Sequence, residues 1–329
     1  TAVLAFSVPD ISQTGMLIYA YVSYILLSTA YTVVNIPMAS ILPALSEDPH
    51  ERTVLASCRT FFSSIGSTVV SAFALTLVDK FGNGNQALGF RIVMMIFGVI
   101  GCLVFFFCFF NTKERVNTYS EKVSLKANIS CLLHNTPWKL FALNIVWFFG
   151  GYVIQAGAVI YYFTYVVGNE SLVQVVATIT TLVPIIANLC APFLVKLTSK
   201  RNLMTIGNIV HSLGLLLIFF GGTNVPVLLT AAVIAAAGYG LKISMHFAMQ
   251  PDPVDYGEWK SGVNTAGTLS AVNGFIGKLG MAIASSLGAA LLAFGGFDAD
   301  LAVQTATAQN YIAAMYIWVP IVMNVASMI

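Results

Sequence analysis

Apolar residues in this chain gather in long blocks rather than alternating with polar ones. A helix that crosses a bilayer needs about 20 predominantly apolar residues. Nine blocks reach that length, at 14–43, 53–79, 88–110, 138–167, 171–195, 203–222, 225–250, 264–296 and 305–329. Each predicts a membrane-spanning helix. A shorter block at 1–8 stops at Pro9-Asp10 and is expected to be the end of one more. It has neither the basic flank nor the small-residue cleavage site of a signal peptide. Pro37 and Pro43 are expected to kink the first long block or end it early. Most connections are short, Gly168-Asn169-Glu170 and Gly221-Gly222-Thr223-Asn224 among them. The exception is 111–137, polar and basic with an amphipathic second half, which is the one plausible domain linker.

Composition sharpens this picture. The chain is 58% hydrophobic and 9% charged, whereas soluble domains carry about 25% charged residues. A net charge of +2 gives no case for nucleic acid. The expected partners are membrane lipid and a small molecule. Cys58, Cys102, Cys108, Cys131 and Cys190 are scattered without a CxxC pair, which reads as free thiols rather than a disulfide framework. The four histidines are equally dispersed, so no metal site is expected. No GxxxxGK[ST] phosphate loop is present, and no His/Asp/Ser cluster gathers near one face. A pump with its own ATP site and a membrane enzyme are both excluded, and no cofactor is implied.

Basic residues orient the chain, because cytoplasmic loops carry an excess of Lys and Arg. With the linker placed in the cytoplasm, ten fall on that side: Arg52, Lys113, Arg115, Lys122, Lys126, Lys139, Lys196, Lys200, Arg201 and Lys260. Only Lys80 and Arg91 fall on the other. Three spans precede the linker and six follow it. Two equal six-helix halves, the plan of many secondary transporters, then make the leading block the end of a third helix, with two helices expected before it. The divisions are 1–112 for the rest of the N-terminal half, 113–137 for the cytoplasmic linker and 138–329 for the C-terminal half.

Charges inside the apolar blocks are the candidate chemistry. At bilayer depth a charge costs roughly 2.5–3.5 kcal/mol on insertion scales. Lys278 lies about fourteen residues into its block, too deep for comfortable snorkelling. Lys242, His246 and Gln250 are spaced four apart, which aligns them on one helix face; such a stripe must face protein or water. Arg59, near the start of its block, could equally reach lipid headgroups. The turn between the two blocks holds Asp252, Asp255, Glu258 and Lys260, a solvated loop or a latch against basic turns such as Arg52. Glycines at 262, 267, 274, 277, 280 and 288 suit close helix packing.

Three stretches carry a resemblance: Asp252-Pro253-Val254-Asp255-Tyr256-Gly257-Glu258-Trp259-Lys260; Tyr31-Thr32-Val33-Val34-Asn35-Ile36-Pro37 followed by Arg59-Thr60-Phe61-Phe62; and Gly277-Lys278-Leu279-Gly280. The chain resembles the glycoside–pentoside–hexuronide:cation symporters, the melibiose permease family of the major facilitator superfamily. The resemblance implies an all-α polytopic membrane protein with the major facilitator fold of two six-helix halves, the first two helices and most of the third missing from this chain. It further implies a monomeric sugar transporter of the cell inner membrane, driven by a cation gradient and working by alternating access. By motif, Asn35, Arg59 and Lys278 map to the family's sugar and cation sites, and Thr32 and Asn273 are taken with them. Lys242, His246 and Gln250 complete the substrate-binding candidates, and Arg52, Asp252, Asp255, Glu258 and Lys260 form the candidate cytoplasmic gate. Asn35 stands where cation-coupled relatives carry aspartate, which favours H+ over Na+ as the coupling ion. Excess positive charge from Arg59, Lys242 and Lys278 suits a carboxylate or sulfonate, which an arginine can grip with two parallel bonds. The expected substrate is therefore an anionic sugar, a glucuronide or a sulfonated sugar. The alternatives are an uncoupled facilitator or exporter of the same fold, or a Na+ symporter of neutral glycosides.

Overall fold

The computed structural model describes residues 2–7, 9, 12–113, 125–262, 264–301 and 303–328. Positions 114–124 of the expected linker, with Arg115 and Lys122, lie outside the described residues. In chain order the helices are α1 (Ala2–Ala5), α2 (Gln13–Ser40), α3 (Leu42–Leu45), α4 (Pro49–Gly82), α5 (Gln86–Asn111), α6 (Leu125–Leu133) and α7 (Thr136–Tyr161). They continue as α8 (Ser171–Leu194), α9 (Lys200–Gly221), α10 (Val225–Met249), α11 (Asp252–Ser261), α12 (Ala266–Gly295), α13 (Ala306–Ala313) and α14 (Val319–Ala326). Wider π turns extend α7 over Tyr162–Val166 and join α13 to α14 over Ala314–Trp318.

Every long apolar block falls on helical residues, and seven described helices are long and apolar enough to cross a membrane. The two blocks of the nine not among them are 53–79, on α4, and 305–329, divided by a π turn between α13 and α14. The leading block forms only the short α1. Pro37 lies within the last turn of α2, which runs through it and stops at Ser40. So near the end of a helix, little ladder remains for a proline to disrupt. Asn135, Ser199, Asn224 and Thr305 each accept a backbone N–H at a helix start, a cap worth about 1 kcal/mol.

The chain divides into two compact units, Thr1–Ser46 with Phe62–Asn117 and Glu47–Phe61 with Thr118–Ile329. In the first, Phe6 stacks on Phe90 at 5.9 Å and the Tyr19 hydroxyl donates to the Leu4 carbonyl at 2.7 Å. The turn from α4 to α5 passes through Asn83 at φ 45° and Gly84 at φ 89°, left-handed values that glycine and asparagine tolerate best. It folds Gly89 so tightly onto α4 that an added Cβ would lie 2.2 Å from the Val78 carbonyl oxygen. Phe105, Phe107, Phe109 and Phe110 are exposed on α5, as befits a surface solvated by lipid.

The second unit holds the rest. α10 packs between α8 and α9, while α7 packs against α12 and α14, and α14 also meets α9. Its core includes Ile154, Phe163, Leu215, Ile218, Leu228, Ile312 and Ile317. On α12, Gly277 and Gly280 rest on Phe149 and Val146 of α7, whereas Gly267 and Gly274 meet nothing within 4 Å.

Candidate functional site

Glycine spacing brings the buried polar groups together. Gly207 and Gly214 of α9 and Gly238 of α10 meet at one helix crossing. A Cβ on Gly214 would lie 2.4 Å from the Ala235 nitrogen, one on Gly238 2.3 Å from the His211 nitrogen, and one on Gly207 2.9 Å from the Lys242 nitrogen. Small residues permit such approach of two backbones. His211 is one turn from Gly207 and Lys242 one turn from Gly238, so the crossing sets these two side chains against each other. Gly240 does the same toward α8, where an added Cβ would lie 2.6 Å from that of Ala187 and 2.7 Å from the Pro184 Cα.

Lys242 is 4% exposed. Its Nζ donates to Asn324 Oδ1 at 2.7 Å and to His211 Nδ1 at 3.1 Å. Asn324 Nδ2 donates to Ser212 Oγ and approaches His211 Nδ1, both at 3.0 Å. Since both neighbours of Nδ1 are donors, that nitrogen is the acceptor and the ring proton sits on Nε2. The ammonium also lies 5.4 Å from the ring centre of Tyr239 and 5.6 Å from that of Phe148, within cation–π range. These neutral groups offset part of the cost of burying the charge. No carboxylate among the described residues pairs with it.

A cavity of about 240 Å³ opens beside this network. Tyr152, Gln155, Ala156 and Val159 of α7 form one wall, and Ala177, Thr180 and Thr181 of α8 another. His211 and Ile218 of α9, Ala232, Ala235, Ala236 and Tyr239 of α10, and Tyr316 complete it. Tyr152 and Tyr239 stack at 5.6 Å. The hydroxyls of Thr180 and Thr181 donate to carbonyls of their own helix, which leaves their oxygens as acceptors.

The other candidates fall in several places. His246 is buried, stacked on Phe148 at 4.4 Å and on Phe141 at 5.1 Å. It thus shares with Lys242 the face of α10 turned to α7, and Gln250 follows half-buried at the helix end. The Arg59 guanidinium lies 5.8 Å from the Phe247 ring centre. Asn273 is buried on α12 and accepts from Trp138 Nε1 at 3.0 Å. Lys278 stands on the exposed side of the same helix. Thr32 and Asn35 belong to the first unit; both are half-buried on α2, and the Thr32 hydroxyl donates to the Ser28 carbonyl at 2.8 Å.

The candidate gate residues converge on α11. Arg52, itself buried, pairs with Asp255, and Lys200 pairs with Asp252 at 2.7 Å. Asn135 Nδ2 donates to the Pro253 carbonyl at 2.7 Å, and Lys260 donates to the His134 carbonyl at 3.2 Å. Glu258 accepts from Asn264 at 2.8 Å. Three segments distant in sequence, those of Arg52, His134-Asn135 and Lys200, are thereby tied to this one short helix.

Sequence reasoning missed His211 and Ser212, neighbours that begin three positions after Asn208 in an apolar block, and Asn324 in another. The available signal was the run Gly207, His211, Gly214 facing Ala235, Gly238, Lys242, two small-residue stripes of matching pitch with one polar residue each.

Membrane helices in one bundle around a buried cation and a largely apolar cavity with a few polar groups define a transporter class rather than an enzyme. The fold agrees: the major facilitator transporter FucP, crystallised in the outward conformation, superposes with a TM-score of 0.71 at 14% identity, over 99% of this chain and 80% of that one. The family described as MFS/sugar transport protein matches residues 1–329, and the chain belongs to it, as a multi-pass membrane protein of the glycoside–pentoside–hexuronide:cation symporter group. The isoprimeverose transporter of Lactiplantibacillus pentosus is 36% identical over 328 residues, 98% of this chain and 68% of that protein. The glucuronide carrier protein homolog of Escherichia coli K12 is 28% identical, over 91% of this chain and 66% of that protein.

Proposed function

We propose that the protein moves a sugar or glycoside across the inner membrane by alternating access, with an anionic sugar as substrate and protons as the coupling ion. Family membership supports the sugar, and the names of the two relatives, one for isoprimeverose and one for glucuronide, bracket the choice of charge. One observation carries the anionic reading: Lys242 is buried against neutral acceptors alone among the described residues. Arg59, Lys278, Thr32, Asn35, Asn273, His246 and Gln250 remain substrate-site assignments on this reading. The α11 ion pairs act as the cytoplasmic latch, and the linker lies on the same side. Asn35 speaks against Na+, because an amide brings no negative charge to the ion; the coupling proton titrates on another group. The neutral-glycoside reading is favoured by the isoprimeverose relative.

Vesicles reconstituted with the protein should accumulate labelled 4-nitrophenyl glucuronide under an inward proton gradient and take up the matching glucoside poorly. Na+ at fixed pH and potential should change neither. Several-fold stimulation by Na+ would overturn proton coupling, and equal uptake of both sugars would overturn the anionic substrate.

A further inference from the structure

We infer that the cavity in the second unit receives the acid group of the glycoside, with His211 Nε2–H as its direct donor and Lys242 as the charge behind that donor. The inference rests on the anionic reading above and assigns it a place. His211 is 3% exposed yet lines the cavity. Its hydrogen bonds among the described residues are made through Nδ1 alone. Because Lys242 and Asn324 both donate to that nitrogen, the ring is held in the tautomer that keeps Nε2–H free to donate elsewhere. The ammonium 3.1 Å behind the ring makes that donor more positive. An incoming carboxylate or sulfonate then forms a charge-assisted hydrogen bond and balances a buried cation in the same step.

The rest of the cavity suits a sugar ring. Stacked Tyr152 and Tyr239 present an aromatic face, and the threonine oxygens accept from hydroxyls. No lining residue is acidic, which disfavours a cation there. Drug-sized pockets begin near roughly 300 Å³. At about 240 Å³ this one admits a single acidic ring and leaves the aglycone outside.

The test is equilibrium binding of 4-nitrophenyl glucuronide and 4-nitrophenyl glucoside to the full chain in lipid nanodiscs. Wild type should bind the glucuronide at least tenfold more tightly. Equal binding, or binding of neither, removes the anionic reading itself. His211→Asn keeps an acceptor for Lys242, but its amide N–H ends short of the position that Nε2–H holds in the cavity; it should weaken the glucuronide about tenfold or more and the glucoside less than threefold. Wild-type discrimination that survives in His211→Asn overturns the site while leaving the anionic reading intact. Thr181→Phe guards against misfolding, since Thr181 is exposed on the cavity wall and supports no core. It should abolish glucuronide binding with thermal stability unchanged, and wild-type affinity in this variant would also overturn the site.

Discussion

At the scale of the residue, Lys242 decides most. Its charge is held by an imidazole, an amide and two ring faces, none of which carries a formal negative charge to neutralise it. Lys242→Gln retains a donor toward Asn324 and removes the charge. Anionic glycoside should then bind about tenfold less tightly, the scale of one charge-assisted hydrogen bond, while a neutral glycoside binds within threefold of wild type. Isothermal titration with both ligands checks this, and a parallel loss of both affinities would mark a purely structural lysine. The lysine itself was legible in the sequence, since a charge in an apolar block needs a reason. Its partners were not. His211 is 31 positions away and Asn324 is 82, and nothing in their local spacing links either to Lys242.

At the scale of the element, the α9–α10 crossing is a contact of backbones. Within a membrane, no difference in hydrophobicity between lipid and side chain drives helices together, so close packing matters more. Gly238→Leu would drive a side chain into the His211 main chain, where even a Cβ comes within 2.3 Å. Overpacking of this kind costs about 1–3 kcal/mol. The expected result is a thermal midpoint several degrees lower and loss of discrimination between the two glycosides. Gly274→Ala, at an open position on α12, should leave both unchanged. Helix positions were readable because apolar block length translates directly into span. Helix partners were not, because a glycine that allows contact and one that meets lipid look alike in sequence: on α12, Gly277 and Gly280 touch α7 while Gly274 meets nothing.

At the scale of the molecule, residues far apart in sequence share two jobs. The acidic turn at the start of α11 is tied to the start of α4 through Arg52, to the start of α9 through Lys200, and to the loop before α7 through Asn135. Each of the two ion pairs joins a largely buried base to a half-exposed acid, and partly exposed pairs are worth about 0.2–1 kcal/mol, weak enough to break in turn. The motif around Asp252 and Asp255 revealed the acidic side of these ion pairs, and Arg52 was the one readable partner. Lys200 was visible only as a count toward membrane orientation.

The cavity's walls differ in what they can do. α8, α9 and α10 are joined through Gly207, Gly214, Gly238 and Gly240 at distances that leave no slack, so three sides form one stiff plate. α7 supplies another wall beside Tyr316, and it carries Gly157, with nothing within 4 Å of an added Cβ, just before its π turn. That contrast predicts that ligand traffic follows the bending of α7. Gly157→Ala, which favours the straight helix by about 1 kcal/mol without touching the plate, should slow stopped-flow association and dissociation together and leave their ratio unaltered. The residue that sets how long a sugar stays would then be one that never meets it.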